Sequence, residues 1–123
     1  MYRPTYYLET AFSVTQLSEH HHTVALMHSQ VERVTVALAA LLYEKVSQVT
    51  LQCKCDKLRI LAVEGGSFSL LLPDGCALSL TENQLSCWLG LLLDHAVVCA
   101  FDGMHLDLET KQGNLTLAIA ISS

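Results

Sequence analysis

A chain of 123 residues, 51% of them apolar, can bury a core of its own as a single domain over residues 1–123, so no structural metal or disulfide framework is needed. Only 15% of residues are charged and the net charge is −5. The acids gather at one end: residues 1–60 hold six Lys/Arg against five Asp/Glu, whereas residues 61–123 hold Lys111 alone against seven acids. That balance argues against a nucleic-acid partner and fits a basic protein partner, drawn in by complementary charge.

The first segment, "MYRPTYYLETAF", has no continuous apolar stretch and carries Glu9. A signal peptide is therefore not expected. The longest charge-free apolar runs, such as "VTVALAALLY", fall well short of the ~20 residues of a membrane span. Five cysteines, an odd number, lie inside apolar segments, as free thiols in a reducing cytoplasm would.

In chain order, "YYLETAFSV" places Tyr6, Leu8, Thr10, Phe12 and Val14 on one side and reads as a short strand. Ser18 then offers a helix cap. From Val24 the apolar positions Met27, Val31, Val34, Leu38 and Leu41 follow at alternating steps of three and four. This predicts a long N-terminal helix from about Glu19 to about Val46.

Beyond it the period changes to two. Val49, Leu51, Cys53 and Cys55 alternate with polar residues, and a turn at Asp56-Lys57 would set Leu51 opposite Ala62. Asp-Lys is a poor two-residue turn, so a longer one is the alternative. "LLLPDGCALSL" holds Pro73-Asp74-Gly75, a strong turn signal that sets Leu70 against Leu78 and Phe68 against Leu80. "EGGS" reads as another turn. Thr81 and Gln84 form a capping box for a second, shorter helix with Leu85, Trp88, Leu89 and Leu92 on one face. Asp102-Gly103 suggests a hairpin that pairs Val97 with Leu108, and "KQGN" turns the chain into a last strand.

The expected fold is α+β: one antiparallel, hairpin-linked sheet of about six to eight strands, the long helix across it and the shorter helix inserted before the last strands. The small outer residues Thr116, Ala118 and Ala120 would seat the second helix or another subunit.

Candidate chemistry starts with "SEHHH". On a helix, successive rings diverge by about 100°, so His20, His21 and His22 cannot share one ion. His28 and Glu32 are four apart and His21 lies seven before His28, a weak metal candidate. A polar helix face is the preferred reading, with no metal and no cofactor. In "QCKC", strand positions two apart lie roughly 6.5 Å from each other. Two thiolates on one zinc need about 4 Å or less. Cys53 and Cys55 therefore read as core hydrophobes. Cys87, with His95 or His105 as base, is the thiol-enzyme option. Phosphate-loop and nucleophile-elbow motifs are absent.

His105, Asp107 and Glu109 alternate onto one strand face, and with Asp94 and Asp102 they make an acidic strip. By elimination the chain is expected to be a small non-enzymatic binding protein of the immunity or antitoxin kind. It would occlude a basic partner, such as a toxin nuclease, through that strip. The alternatives are a dimeric chaperone-like module and a metal- or thiol-dependent enzyme.

Overall fold

The computed structural model describes residues 4–8, 12–44, 46–54, 56–98 and 104–120. Among the described residues nine strands and two helices follow one another: β1 Thr5–Tyr7, β2 Ser13–Ser18, β3 His21–Met27, a 3-10 turn His28–Gln30, α1 Val31–Tyr43, β4 Gln48–Gln52, β5 Lys57–Val63, β6 Ser67–Leu71, β7 Ala77–Thr81, α2 Glu82–Val98, β8 Met104–Thr110 and β9 Gly113–Ala120. They form two mixed sheets, not one antiparallel sheet. The five-stranded sheet has the order β1-β4-β5-β6-β7, and the four-stranded sheet has the order β2-β3-β9-β8. The pairs β1–β4 and β3–β9 are parallel, which corrects the expectation of a purely hairpin-linked sheet.

The long N-terminal helix is also corrected. Residues 13–27 form β2 and β3, and α1 begins only at Val31. In β3, His22, Val24 and Leu26 are buried while His21, Thr23, Ala25 and Met27 are half-buried, a period of two. Val24 and Met27 continue the helical stripe by coincidence of spacing. The ladder to β9 decides the outcome, because it pairs all seven residues of β3 with buried Leu115, Leu117 and Ile119 among the partners. The strand stops where Gln30 Oε1 accepts the Met27 N–H at 2.8 Å and folds the chain into the 3-10 turn. From Val31 the predicted stripe holds: Val31, Val34, Leu38 and Leu41 are all buried.

The β4–β5 register is displaced from the expected one. Leu51 faces Leu58 rather than Ala62, and Val49 faces Ile60. Cys53 N–H bonds to the Asp56 carbonyl at 2.9 Å, so a longer turn replaces the two-residue one. The shift is an even number of residues, so the inward faces are unchanged. The β6–β7 hairpin forms as predicted, with Leu70 opposite Leu78 and Phe68 opposite Leu80. The capping box of α2 is reciprocal: Thr81 N–H bonds to Gln84 Oε1 and Gln84 N–H to Thr81 Oγ1, both at 3.0 Å.

With 17 residues, α2 is longer than α1 with 13, and it takes in Val97, which was expected in a strand. The remaining part of that expected strand and its turn, including Cys99, Phe101 and Asp102, falls outside the described residues. The turn at "KQGN" joins β8 to β9 with Thr110 opposite Gly113.

One apolar cluster unites the two sheets and both helices, with Trp88, Leu38, Ile60, Leu85 and Leu117 among its buried members. α1 packs on β4 and on α2, and α2 packs on β7 and β8. Two glutamines fasten the four-stranded sheet to its neighbours, one to α2 and one to β7. Gln84 donates to the Glu109 carbonyl at 2.7 Å, and Gln112 Oε1 accepts the Ser79 N–H at 2.8 Å.

Candidate functional site

The histidine run opens this site because β3 splits it. His20 lies in the exposed turn between β2 and β3, where its carbonyl accepts the Asn114 N–H at 2.7 Å. His21 and His22 are the first residues of β3, and consecutive strand residues point to opposite faces. His21 faces outward and His22 is buried.

On the outer face, β8, β9 and β3 are aligned so that Glu109 is opposite Asn114 and Asn114 opposite His21. In the next row Asp107 is opposite Thr116 and Thr116 opposite Thr23. Thr116 Oγ1 donates to Asp107 Oδ1 at 2.7 Å, and His21 Nε2 lies 2.8 Å from the same hydroxyl. A hydroxyl has one proton; with that proton on Asp107, the His21 contact requires an Nε2–H donor. The result is a chain of hydrogen bonds, imidazole to hydroxyl to carboxylate, across three strands. It borders an open groove of about 480 Å³ lined by His21, Asp107, Leu108, Glu109, Asn114 and Thr116. His105 is exposed beside it, with Nε2 3.8 Å from Asp107 Oδ2.

The expected acidic strip is thus only partly assembled. Asp107 and Glu109 line the groove and His105 flanks it. Asp94 is exposed near the end of α2 and does not line the groove, and Asp102 lies outside the described residues. His21, expected on a helix, is an addition from two strands away.

The inner face holds a second cluster. His22 Nε2 is buried and makes no hydrogen bond; Asp74 Oδ2 is 3.4 Å from it. Asp74 sits in the β6–β7 turn, where its Oδ1 accepts the Cys76 N–H at 2.9 Å. That bond holds the carboxyl below the usual range; burial opposes the effect, and His22 adds to it. Burial, followed by the neighbouring Asp74, pushes the Cys76 thiol up. One potential ligand atom from each of His22, Asp74 and Cys76 lies within 4.8 Å of the other two. Sequence reasoning missed this cluster because it put His22 on a helix. The available signal was Asp74-Gly75-Cys76, two ligand types held across a tight turn.

The helix that was to align His21, His28 and Glu32 does not extend over all three. His21 is on β3 and Glu32 is exposed on α1, so the single helical face that would have aligned them with His28 does not exist. The His28 side chain lies outside what the structure describes. Cys53 is a core residue, 5% exposed, as expected, and Cys55 lies outside the described residues. Cys87 is exposed on α2 and His95 buried on the same helix. Eight residues correspond to about 12 Å along the axis, too far for a thiol–imidazole pair.

Among the described residues, no helix is long and apolar enough to cross a membrane. No family model matches the chain, and neither a curated protein nor a solved structure matches it.

Proposed function

We propose that this protein is a non-catalytic cytoplasmic binding module that captures a basic segment of a protein partner in the outer groove. The observation that supports this reading is the pair of carboxylates, Asp107 and Glu109, on the edge strand β8 of the four-stranded sheet, bordering a groove of about 480 Å³. A lysine or arginine of the partner would lay its alkyl stem across the β8 backbone at Leu108 and set its charged head between the carboxylates. The half-buried Ala25 and Ala118 beside the groove leave room for a polypeptide to approach the sheet closely. Capture of this kind masks a basic surface, which is how an immunity or antitoxin protein would silence a toxin such as a nuclease. The free thiols of Cys53, Cys76 and Cys87 suit a reducing compartment.

A native pull-down, with an arginine-rich peptide as defined probe, tests the reading. Wild-type protein is expected to retain the probe at low salt and to release it as salt rises. Asp107→Lys combined with Glu109→Lys should bind roughly tenfold more weakly or worse, with a flatter salt dependence. Equal capture by the double variant would overturn the assignment.

A further inference from the structure

We propose that His22, Asp74 and Cys76 form a binding site for a divalent cation of the zinc type. The site shares no residue with the outer groove and stands independently of it.

An imidazole nitrogen, a carboxylate oxygen and a thiolate sulfur are the ligands that zinc accepts, and the sulfur disfavours magnesium and calcium. Tetrahedral zinc with bonds of about 2.05 Å to nitrogen and oxygen holds those two atoms roughly 3.3 Å apart. His22 Nε2 and Asp74 Oδ2 are 3.4 Å apart. The sulfur is within 4.8 Å of both, so a modest rotation of the Cys76 side chain completes three corners.

Burial supplies an independent observation. The His22 side chain is only 5% exposed, and its Nε2 completes no hydrogen bond, although Asp74 Oδ2 stands 3.4 Å away as an ion-pair partner. Buried ring nitrogens are ordinarily satisfied. This one aims its lone pair or its proton at the cluster, and a metal ion would satisfy it as a ligand.

The hairpin turn prepares the other two donors. Leu72 N–H bonds to the Cys76 carbonyl at 2.9 Å, and Gly75 N–H to the Leu72 carbonyl at 3.0 Å. Gly75 has φ +95°, a conformation that glycine adopts without strain. Asp74 Oδ1 is occupied by the Cys76 N–H, which leaves Oδ2 turned to His22. Such an outer hydrogen bond orients a ligating carboxylate. The Asp74 side chain is 39% exposed, so an ion has a path in and a fourth position open to water. An ion held here would join β3 of one sheet to the β6–β7 turn of the other and stabilise the folded state by mass action.

Untagged, reduced, chelator-stripped protein titrated with Co²⁺ tests the proposal. One equivalent should bind with the visible bands of a tetrahedral site and a thiolate-to-cobalt charge-transfer band. Zn²⁺ should displace it and raise the melting temperature. Cys76→Ser should remove the charge-transfer band. Cys76→Ser, Asp74→Asn and His22→Gln should each weaken binding by roughly tenfold or more, since even an outer-shell partner is worth 10–100-fold. Asp74→Asn keeps the acceptor for Cys76 N–H and Cys76→Ser is nearly isosteric, so both variants remain informative if the buried His22→Gln fails to fold. Cys87→Ser should leave the band intact. Absence of the band in the wild type, or its persistence in Cys76→Ser, would overturn the site.

Discussion

Gly113 shows how much a single position can govern. Its φ is +124°, and a Cβ there would run into the backbone carbonyl of His20. The close approach is needed because the neighbouring Asn114 N–H bonds to that same carbonyl and starts the β3–β9 ladder. Gly113→Ala therefore combines a strained backbone with a clash against main-chain atoms. It should cost more than about 1 kcal/mol in urea unfolding. It should also disturb the alignment of His21 with Thr116, read as weaker capture of the basic probe. Thr81 is a simpler case. Its hydroxyl satisfies one N–H in the first turn of α2, so Thr81→Ala should lower stability by about 1 kcal/mol in urea unfolding.

At the scale of elements, legibility depends on whether the determining contacts are local. The β6–β7 hairpin and the start of α2 could be read directly, because Pro73-Asp74-Gly75 and the Thr81–Gln84 box act within a few residues. The stripe from Val31 to Leu41 was legible for the same reason. β3 was not, and the cause is specific. Its inward positions are His22, Val24 and Leu26, so a polar residue occupies one of three core-facing places and hides the period of two. Local rules tend to fail where a side chain serves a site rather than the core. The groove was half legible: the alternation of His105, Asp107 and Glu109 marks one face of β8, whereas nothing near His21 in the chain announces Thr116. The extra length of α2 was also hidden, because "LLLDHAVV" is apolar nearly all round and suits either a helix or a buried strand.

Across the whole molecule, the decisive long-range pairing is between β3 and β9, elements separated by almost the entire chain. β9 is an inner strand of the four-stranded sheet, and its Leu115, Leu117 and Ile119 are at most 1% exposed. Deleting residues 113–123 would remove the core side chains Leu115, Leu117 and Ile119 and leave β3 and β8 without the strand that pairs with both. The truncated chain is expected to lose its cooperative unfolding transition and its near-ultraviolet circular dichroism. A sharp transition in that chain would show that the five-stranded sheet and the helices fold without β9. Pairing at such sequence separation also predicts slow folding relative to helical domains of similar size.

The same pairing sets a schedule for synthesis. Residues 13–27 are synthesised before residues 113–120 and must wait for them before β3 gains its parallel neighbour. Until then His21 lacks the hydroxyl that orients it, and His22 lacks the strand that holds it against the β6–β7 turn. A chain that has not yet paired β9 with β3 therefore offers neither the groove nor the proposed cation site in finished form. Both proposed sites are expected to mature together, once residues 113–120 have been made and have paired with β3.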